Sequence, residues 1–236
     1  MKSARRIVIL TGAGISADSG VSTFRDPDGV WAKYDYNDVA TPEGFARDPG
    51  LVHSFYNARR AHIQTVRPNA GHVALARLEE RLGDGLTLVT QNVDDLHERG
   101  GSRRVIHMHG ELLKARCGAC GRSHSWAGDL SIETRCPSCA AHRFMRPDVV
   151  WFGEMPMFMD DIASAISQAE LFVSIGTSGN VYPAAGFVRE ARSLGIPCVE
   201  LNLEPSENAT AFTDARYGRA SEIVPAWVEE MCCAGR

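Results

Sequence analysis

Residues 6–26 read RIVILTGAGISADSGVSTFRD and join a short apolar strand to a turn rich in small residues. After the strand, Gly12, Gly14 and Ala17 fit the spacing G-x-G-x-x-G/A. In this pattern the small residues let the backbone approach a pyrophosphate, and the N-terminus of the following helix faces the negative charge. The stretch therefore predicts the first strand and nucleotide-binding turn of an α/β sheet.

The next segment departs from the dehydrogenase version of this pattern. There, a second strand follows about 20 residues later and ends in an acidic residue that binds the ribose. Residues 26–38 read DPDGVWAKYDYND and carry no strand pattern. We therefore expect a nucleotide to be held differently from the way dehydrogenases hold it.

Strand patterns alternate with helical patterns along the rest of the chain. Four further apolar segments predict buried strands, at residues 86–92, 104–110, 171–178 and 197–202. Between them, residues 69–83 and 183–195 have helical spacing, with Pro183 suited to a first turn and Gly83 to a helix end. This alternation predicts a Rossmann-like, doubly wound parallel sheet.

Two stretches interrupt this alternation of strands and helices, and they predict a smaller lobe. Residues 27–68 are helical or loop-like, and residues 114–143 hold paired cysteines and little apolar material. We interpret them as a helical insertion and a zinc-ribbon-like module. The Rossmann-like domain is then discontinuous, with segments 1–26, 69–113 and 144–236.

Polar residues follow four of the predicted strands, where open parallel sheets bind ligands. They lie at residues 91–95, 107–111, 176–180 and 202–204. A histidine at such an edge suits a general base. His107 and His109 share one face of a strand, so spacing alone does not choose between them.

Four cysteines form two Cys-x-x-Cys pairs separated by 15 residues: Cys117, Cys120, Cys136 and Cys139. Four thiolates at this spacing close a tetrahedral zinc site, which is structural because no coordination position remains open. The alternative, four unligated thiols, leaves a poorly apolar segment with nothing to fold it. Cys198 lies in an apolar run and is expected in the core.

Composition excludes some partners. The net charge of −4 gives no sign of nucleic-acid binding, which favours basic proteins. The apolar run at residues 7–10 is too short for a signal peptide, and no segment approaches a membrane span. We expect a cytoplasmic, monomeric protein without membrane or nucleic-acid partners.

Taken together, the motifs resemble those of the sirtuins, NAD-dependent protein lysine deacylases, and in particular bacterial members. The resemblance runs from about Ile7 to Pro225. It is carried by the paired cysteines and by GAGISADSGVSTFR, QNVDDLHERGG, HMHGEL, RPDVVWFGE, GTSGNVYPAA and LNLEPS.

The resemblance implies NAD as co-substrate and one structural Zn²⁺. It assigns the phosphates to the glycine-rich turn, adenosine to the ends of two later strands, and the nicotinamide ribose to a closing loop. The implied cofactor-binding residues are Gly12, Ala13, Gly14, Ser16, Ala17, Phe24, Arg25, Trp31, Gln91, Asn92, Val93, Asp94, Gly176, Thr177, Ser178, Asn202, Leu203, Glu204 and Ala220.

The resemblance also implies the chemistry and selects His109, directly before a glycine, as the catalytic base. The acyl-lysine oxygen attacks the nicotinamide ribose and nicotinamide leaves; His109 then takes a proton from a ribose hydroxyl. The products are nicotinamide, free lysine and O-acyl-ADP-ribose. Val150, Trp151, Phe152 and Gly153 match a substrate-pairing strand, although VVWFGE alone also fits a buried strand end. His72 is expected to be structural.

One class of the family carries Tyr-x-x-Arg beside the acyl pocket, matched here by Tyr56 and Arg59 in FYNARR. Residues three apart share a helical face, and arginine binds a carboxylate bidentately. Arg60 also fits that face by spacing, but the family pattern selects Arg59 and leaves Arg60 as a surface or structural charge. The resemblance thus implies removal of succinyl and malonyl groups, with acetyl also accepted.

Two other functions fit parts of the pattern. The same fold and cofactor could support mono-ADP-ribosylation of a protein side chain. A non-catalytic NAD-sensing or zinc-bearing module is a third possibility, against which Asn92, Asp94 and His109 argue together.

Overall fold

The computed structural model describes residues 4–23 and 34–233. Six parallel strands form the central sheet in the order β3-β2-β1-β7-β8-β9, and a separate antiparallel sheet has the order β5-β4-β6. The strands are Ile7–Thr11 (β1), Leu86–Thr90 (β2), Val105–His107 (β3), Gly110–Cys117 (β4), Ser123–Ser125 (β5), Met145–Val149 (β6), Leu171–Ile175 (β7), Cys198–Asn202 (β8) and Asp214–Tyr217 (β9).

Helices cover both faces of the central sheet. Since successive side chains of a strand point to opposite faces, Ile7 and Ile9 pack against the helices Ala70–Leu82 and Ala220–Cys233. Val8 and Leu10 pack towards the helices Met159–Ser167 and Phe187–Ser193 on the other face. Within residues 4–23 and 34–233, every helix is too short or too polar to be a candidate membrane span. The helices are Gly14–Ala17 (α1), Tyr36–Val39 (α2), Pro42–Arg47 (α3), Pro49–Ile63 (α4), Ala70–Leu82 (α5), Leu96–Arg99 (α6), Met159–Ser167 (α7), Phe187–Ser193 (α8) and Ala220–Cys233 (α9).

The doubly wound parallel sheet is confirmed, with two local differences. The edge strand β9 was not predicted, since Asp214–Tyr217 is short and half polar. Pro183 does not lie in the first turn of α8, because a 3-10 turn at Ala184–Gly186 precedes the helix. As predicted, α5 ends at Gly83, whose φ of +56° stops the helix.

The smaller lobe combines α2, α3 and α4 with the antiparallel sheet. Its apolar core joins Val52 and Phe55 of α4 to Leu112 of β4 and Val149 of β6. The strand β4 starts beside His109 and ends at Cys117, and it crosses the predicted boundary between residues 113 and 114. The exact domain limits stay a prediction.

The fifteen-residue helix α4 carries FYNARR and is well specified by its sequence. The Asp48 side chain caps it by accepting a hydrogen bond from the Leu51 N–H, and Pro49 occupies the first turn. Val52, Phe55, Tyr56 and Ile63 recur at helical spacing and are buried. This packing fixes the rotation of the helix and therefore the directions of Arg59 and Arg60.

Candidate active site

The crevice at the carboxyl edge of the sheet opens between β1 and β7, where the strand order reverses direction. The Gly14 N–H donates to Gly176 O at 2.9 Å. A Cβ on Gly14 would lie 2.7 Å from Gly176 Cα, and Gly176 itself has a φ of +62°. The two turns therefore pack backbone against backbone, which requires glycine on both sides.

A cavity of about 730 Å³ extends from this crevice into the small lobe. Phe24, Arg25 and Trp31 lie outside the described residues, and Ser16 lies beneath the cavity wall. The other predicted cofactor- and substrate-binding residues line it: Gly12, Ala13, Gly14, Ala17, Tyr56, Arg59, Gln91, Asn92, Val93, Asp94, His109, Val150, Trp151, Phe152, Gly153, Gly176, Thr177, Ser178, Asn202, Leu203, Glu204 and Ala220.

Ser16 holds two of these residues from below. Its hydroxyl donates to Asp94 Oδ2 at 3.0 Å and accepts from Asn92 Nδ2 at 3.1 Å. His72 Nδ1 accepts from the Asn69 N–H, which leaves Nε2 to donate to Ser16 Oγ at 3.4 Å. The predicted structural role of His72 thus takes the form of a buried support for the side chains of Asn92 and Asp94.

A second polar layer, which the sequence did not predict, ties two strand ends together. Thr11 at the end of β1 donates to Thr90 Oγ1 at the end of β2 at 2.9 Å, and His97 Nε2 lies 2.9 Å from Thr11 Oγ1. Thr90 Oγ1 also accepts from the Asn92 N–H at 3.0 Å. The only local signal was threonine at both strand ends, and nothing in the sequence linked it to His97.

The geometry separates the two candidate histidines. His109 lines the cavity and its Nδ1 lies 3.1 Å from the carbonyl oxygen of Gln91. His107 is buried below it, with Nε2 2.7 Å from Glu98 Oε1. Burial lowers the pKa of His109. Burial also acts to lower the pKa of His107, but the hydrogen bond and charge of Glu98, with the charge of Glu111 and the Asn92 carbonyl, together raise it. A neutral, cavity-facing imidazole is the one suited to accept a proton.

The opposite end of the cavity is formed by the strand ends of β7 and β8 and by the start of α9. Asn202 Nδ2 donates to Thr177 O at 2.8 Å, which joins the two strand ends. Asp18 Oδ2 accepts from the N–H and the hydroxyl of Ser221, at 3.1 and 2.7 Å. Asp18 and its neighbour Arg219 also line the cavity, and the sequence reasoning missed both.

The small-lobe end of the cavity is lined by α4 and by the segment after β6. The Arg59 guanidinium carbon lies 5.5 Å from the centre of the Phe55 ring and 5.6 Å from that of Tyr56, so it faces both aromatic rings. Tyr56 Oη accepts a hydrogen bond from Trp151 Nε1 at 3.0 Å. A phenol and a guanidinium therefore meet at one end of a cavity whose middle holds His109.

The segment Val150 to Gly153 lies beyond β6, which ends at Val149, and does not continue the strand. Three of its N–H groups already have partners in the chain. Val150 donates to His109 O, Trp151 to Glu154 Oε2, and Phe152 to Ala40 O, at 2.8, 2.8 and 2.9 Å. These three donors are therefore not available to a bound peptide, and the pairing role of this segment stays a prediction.

The four predicted cysteines meet in the small lobe. All their sulfur atoms lie within 4.8 Å of one another; Cys117 and Cys139 are separated by 3.8 Å, and Cys120 and Cys136 by 3.7 Å. Tetrahedral Zn²⁺ with Zn–S bonds of about 2.3 Å gives sulfur separations of about 3.8 Å. The set fits one structural zinc ion. Cys198 is buried in the sheet core, as predicted.

Comparison with known proteins agrees with this architecture. The family model described as Sir2 matches residues 12–183. An NAD-dependent protein deacylase of Caulobacter vibrioides is 60% identical over 234 residues, with 98% of each chain covered. A crystal structure of a Sir2 homologue with NAD superposes with a TM-score of 0.88 at 37% identity, covering 99% of this chain and 91% of that one. A structure titled Sir2 bound to acetylated peptide gives 0.79 at 30% identity, covering 96% and 93%. The chain belongs to the Sir2 family, the sirtuins.

Proposed function

We propose that this sirtuin is an NAD-dependent protein lysine deacylase that prefers acyl groups ending in a carboxylate, namely succinyl and malonyl, and also removes acetyl groups. Three features support the general activity. They are the Sir2 membership, the relatives named as NAD-dependent deacylases, and the cavity that joins the predicted cofactor residues to His109.

The observation that carries the acyl preference is the pair formed by Tyr56 and Arg59 at the small-lobe end of the cavity. Arginine stays charged and offers a planar fork of N–H donors to a carboxylate. Succinyl- and malonyl-lysine supply that carboxylate, and acetyl-lysine does not. An acetyl group would leave the receptor's polar groups without their ligand partner, and such sites discriminate strongly between substrates.

In this proposal His109 is the general base. Gln91 O can only accept a hydrogen bond, so the Nδ1 atom of His109 carries the hydrogen and Nε2 keeps its lone pair. Burial lowers the pKa of the imidazole, so it is neutral at pH 7 and able to take a proton from a ribose hydroxyl of NAD. Asn92 and Asp94, held by Ser16, would orient the nicotinamide end.

The acyl-lysine peptide would lie along the segment Val150 to Gly153. Since the N–H groups of Val150, Trp151 and Phe152 are already engaged, pairing there would use carbonyl groups. Backbone pairing of this kind makes few demands on the peptide sequence, which suits an enzyme that acts on several proteins.

The test uses one peptide sequence carrying succinyl-, malonyl- or acetyl-lysine, with NAD and purified full-length protein. We expect mass spectrometry to detect nicotinamide and O-acyl-ADP-ribose with the wild type, and no O-acyl-ADP-ribose with His109→Tyr, because His109 acts after nicotinamide has left. A stably ADP-ribosylated protein in their place would support ADP-ribosyl transfer instead.

The acyl preference is tested by Arg59→Met, which keeps the length of the side chain and removes its charge. Loss of a hydrogen bond to a charged group costs about 1.5–3 kcal/mol, or about 10- to 100-fold in kcat/KM on the succinyl peptide. The acetyl peptide should lose far less. An equal fall on both peptides, or no change on either, would show that Arg59 is not the carboxylate receptor.

A further inference from the structure

The hydroxyl of Tyr56 is hydrogen-bonded to the indole of a buried tryptophan, Trp151. Its hydroxyl oxygen lies 3.0 Å from the indole Nε1 of Trp151, and each residue is only 3% exposed. The two residues are 95 positions apart in the chain, one on α4 and the other just beyond β6. This contact joins the two walls of the acyl end of the cavity.

The chemistry of the two groups fixes the direction of this bond. Indole nitrogen has a hydrogen and no available lone pair, so it can only donate. The Tyr56 oxygen must therefore act as the acceptor, and its own hydrogen points away from Trp151. A phenol that accepts one hydrogen bond in this way remains a donor towards a second group.

Tyr56 also keeps its hydrogen at neutral pH. Burial raises the pKa of its hydroxyl, although Arg59 and the bond from Trp151 act in the opposite direction. A protonated Tyr56 beside the guanidinium of Arg59 supplies one neutral and one charged donor to the same space.

The indole is held rigidly in the orientation that this bond needs. The Arg146 guanidinium stacks 3.3 Å from the centre of the Trp151 ring and forms a two-point ion pair with Glu154, with N–O distances of 2.7 and 2.9 Å. Glu154 Oε2 also accepts from the Trp151 N–H at 2.8 Å. Both the ring and the backbone of Trp151 are thus fixed by one partly buried ion pair, and that preorganises the hydrogen-bond donor.

We propose that Trp151 is a specificity-determining positioning residue, which acts through Tyr56. By donating to the Tyr56 oxygen, its indole forces the phenolic hydrogen towards the cavity, where it meets the distal carboxylate of the acyl group together with Arg59. Without the indole N–H, the phenol can rotate and donate elsewhere. The inference rests on the proposed preference for carboxylate-bearing acyl groups.

The experiment is a double-mutant cycle with four proteins: the wild type, Trp151→Phe, Tyr56→Phe and the double variant. For each, the kcat/KM on a succinyl peptide is divided by the kcat/KM on the matched acetyl peptide, and this selectivity ratio is compared. General damage to the enzyme cancels in this ratio. We expect Trp151→Phe to lower it about 5- to 10-fold, the size of one hydrogen-bond contribution, mainly through a higher KM for the succinyl peptide.

Tyr56→Phe has no phenolic hydrogen for the indole to direct. Adding Trp151→Phe to it should therefore leave the ratio of succinyl to acetyl kcat/KM unchanged. A ratio within twofold of the wild type in Trp151→Phe, or an equal fall in both backgrounds, would overturn the proposal. If Trp151→Phe fails to fold, β-(3-benzothienyl)alanine at position 151 keeps the ring shape and replaces only the N–H. The wild-type ratio separately tests the proposed function, because a wild type without succinyl preference refutes that function before Trp151 is changed.

Discussion

Arg60 Nε donates a hydrogen bond to the carbonyl oxygen of Leu112 at 3.0 Å, and this bond joins α4 to β4 inside the small lobe. Its Nη1 donates to Asn57 Oδ1 at 2.9 Å, and Asn57 in turn bonds to the backbone of Leu130 in the cysteine module. Arg60 is 1% exposed. The neighbouring Arg59 lines the cavity. Of the two adjacent arginines, one belongs to the scaffold and the other to the site.

This division predicts opposite outcomes for two matched variants. Arg60→Met leaves the Leu112 carbonyl without the donor that Arg60 supplies, which costs about 1–3 kcal/mol, and it removes one of the two hydrogen bonds that Asn57 Oδ1 accepts. We expect its free energy of unfolding, measured with urea, to fall by about 2–4 kcal/mol. Arg59→Met should change it by less than about 1 kcal/mol and act on substrate preference instead.

Equal destabilisation by the two variants would contradict this prediction. Hydrogen exchange provides a second readout, since the Arg60 variant should also expose amides near Leu130 through the shared contact with Asn57.

A second pair of variants tests the close packing at the mouth of the crevice. Gly176 and Gly195 both have positive φ, +62° and +75°, so alanine is strained at either position by about 1–2 kcal/mol. The two positions differ in the room available for a methyl group. A Cβ at Gly176 would lie 2.4 Å from the backbone nitrogen of Ile15, whereas nothing lies within 4 Å of one at Gly195.

Gly195→Ala should therefore lower the free energy of unfolding only by the cost of placing alanine at a positive φ. Gly176→Ala should cost several kcal/mol more and weaken NAD binding, because the turn that carries Gly12 and Gly14 must move. Urea unfolding and NAD titration by calorimetry measure the two effects. A Gly176→Ala variant as stable as Gly195→Ala, with unchanged NAD affinity, would show that the two turns are not packed as described.

The parts of the molecule that follow from local pattern were predictable from the sequence. The five predicted strands are mostly apolar, four of them are buried and β3 is half-buried, and α5 ends at a single glycine at position 83. The cysteine cluster was also predictable, because two Cys-x-x-Cys pairs each bring their own thiols together. Each of these features depends on residues close in the chain.

The features that were missed depend on contacts between distant segments. The bond between Thr11 and His97 spans 86 positions, and that between Arg60 and Leu112 spans 52. Spacing along one helix could not separate Arg59 from Arg60, because three and four residues both return to the same face. The packing of α4 decides between them. The edge strand β9 was missed because half of its residues are polar.

Zinc should be required for the cysteine module to fold, and the central sheet should fold without it. Cys120→Ser should lower the metal content, measured by atomic emission, well below one zinc per chain. Amide protection should then fall around Leu130 and Cys136, which belong to a separate small core, and persist in β1. Cys233→Ser is the matched control, because Cys233 is exposed and lies outside the cluster. A full zinc content in Cys120→Ser, or a loss in Cys233→Ser, would refute the assignment.

The stability of the protein should fall steeply as the pH drops from 6.5 to 4. His53 and His72 are buried, and burial lowers the pKa of each from 6.5 to about 4; the charge of Arg60 adds to the effect on His53. The unfolded chain takes up a proton on each histidine below pH 6.5, while the folded chain does so only near pH 4. In this window the unfolded state binds more protons, so each histidine removes about 1.4 kcal/mol of stability per pH unit. Above pH 6.5 neither contributes a pH dependence.

Replacing one of these histidines isolates the effect from that of the carboxylates, which also begin to protonate near pH 4. His53 packs edge-on against Phe45, and its Nδ1 has no hydrogen-bond partner among the described residues, so His53→Phe removes a titrating group and few contacts. We expect urea unfolding between pH 7.5 and 4.5 to give the same dependence on pH for both proteins above pH 6.5, where the raised pKa of His107 acts in each. Below pH 6.5 the slope should be smaller by about 1.4 kcal/mol per unit in the variant. Because the slope counts protons, it is insensitive to any constant change in packing. An identical slope in the two proteins would mean that His53 takes up its proton equally in the folded and unfolded states, and hence that its burial does not hold it neutral.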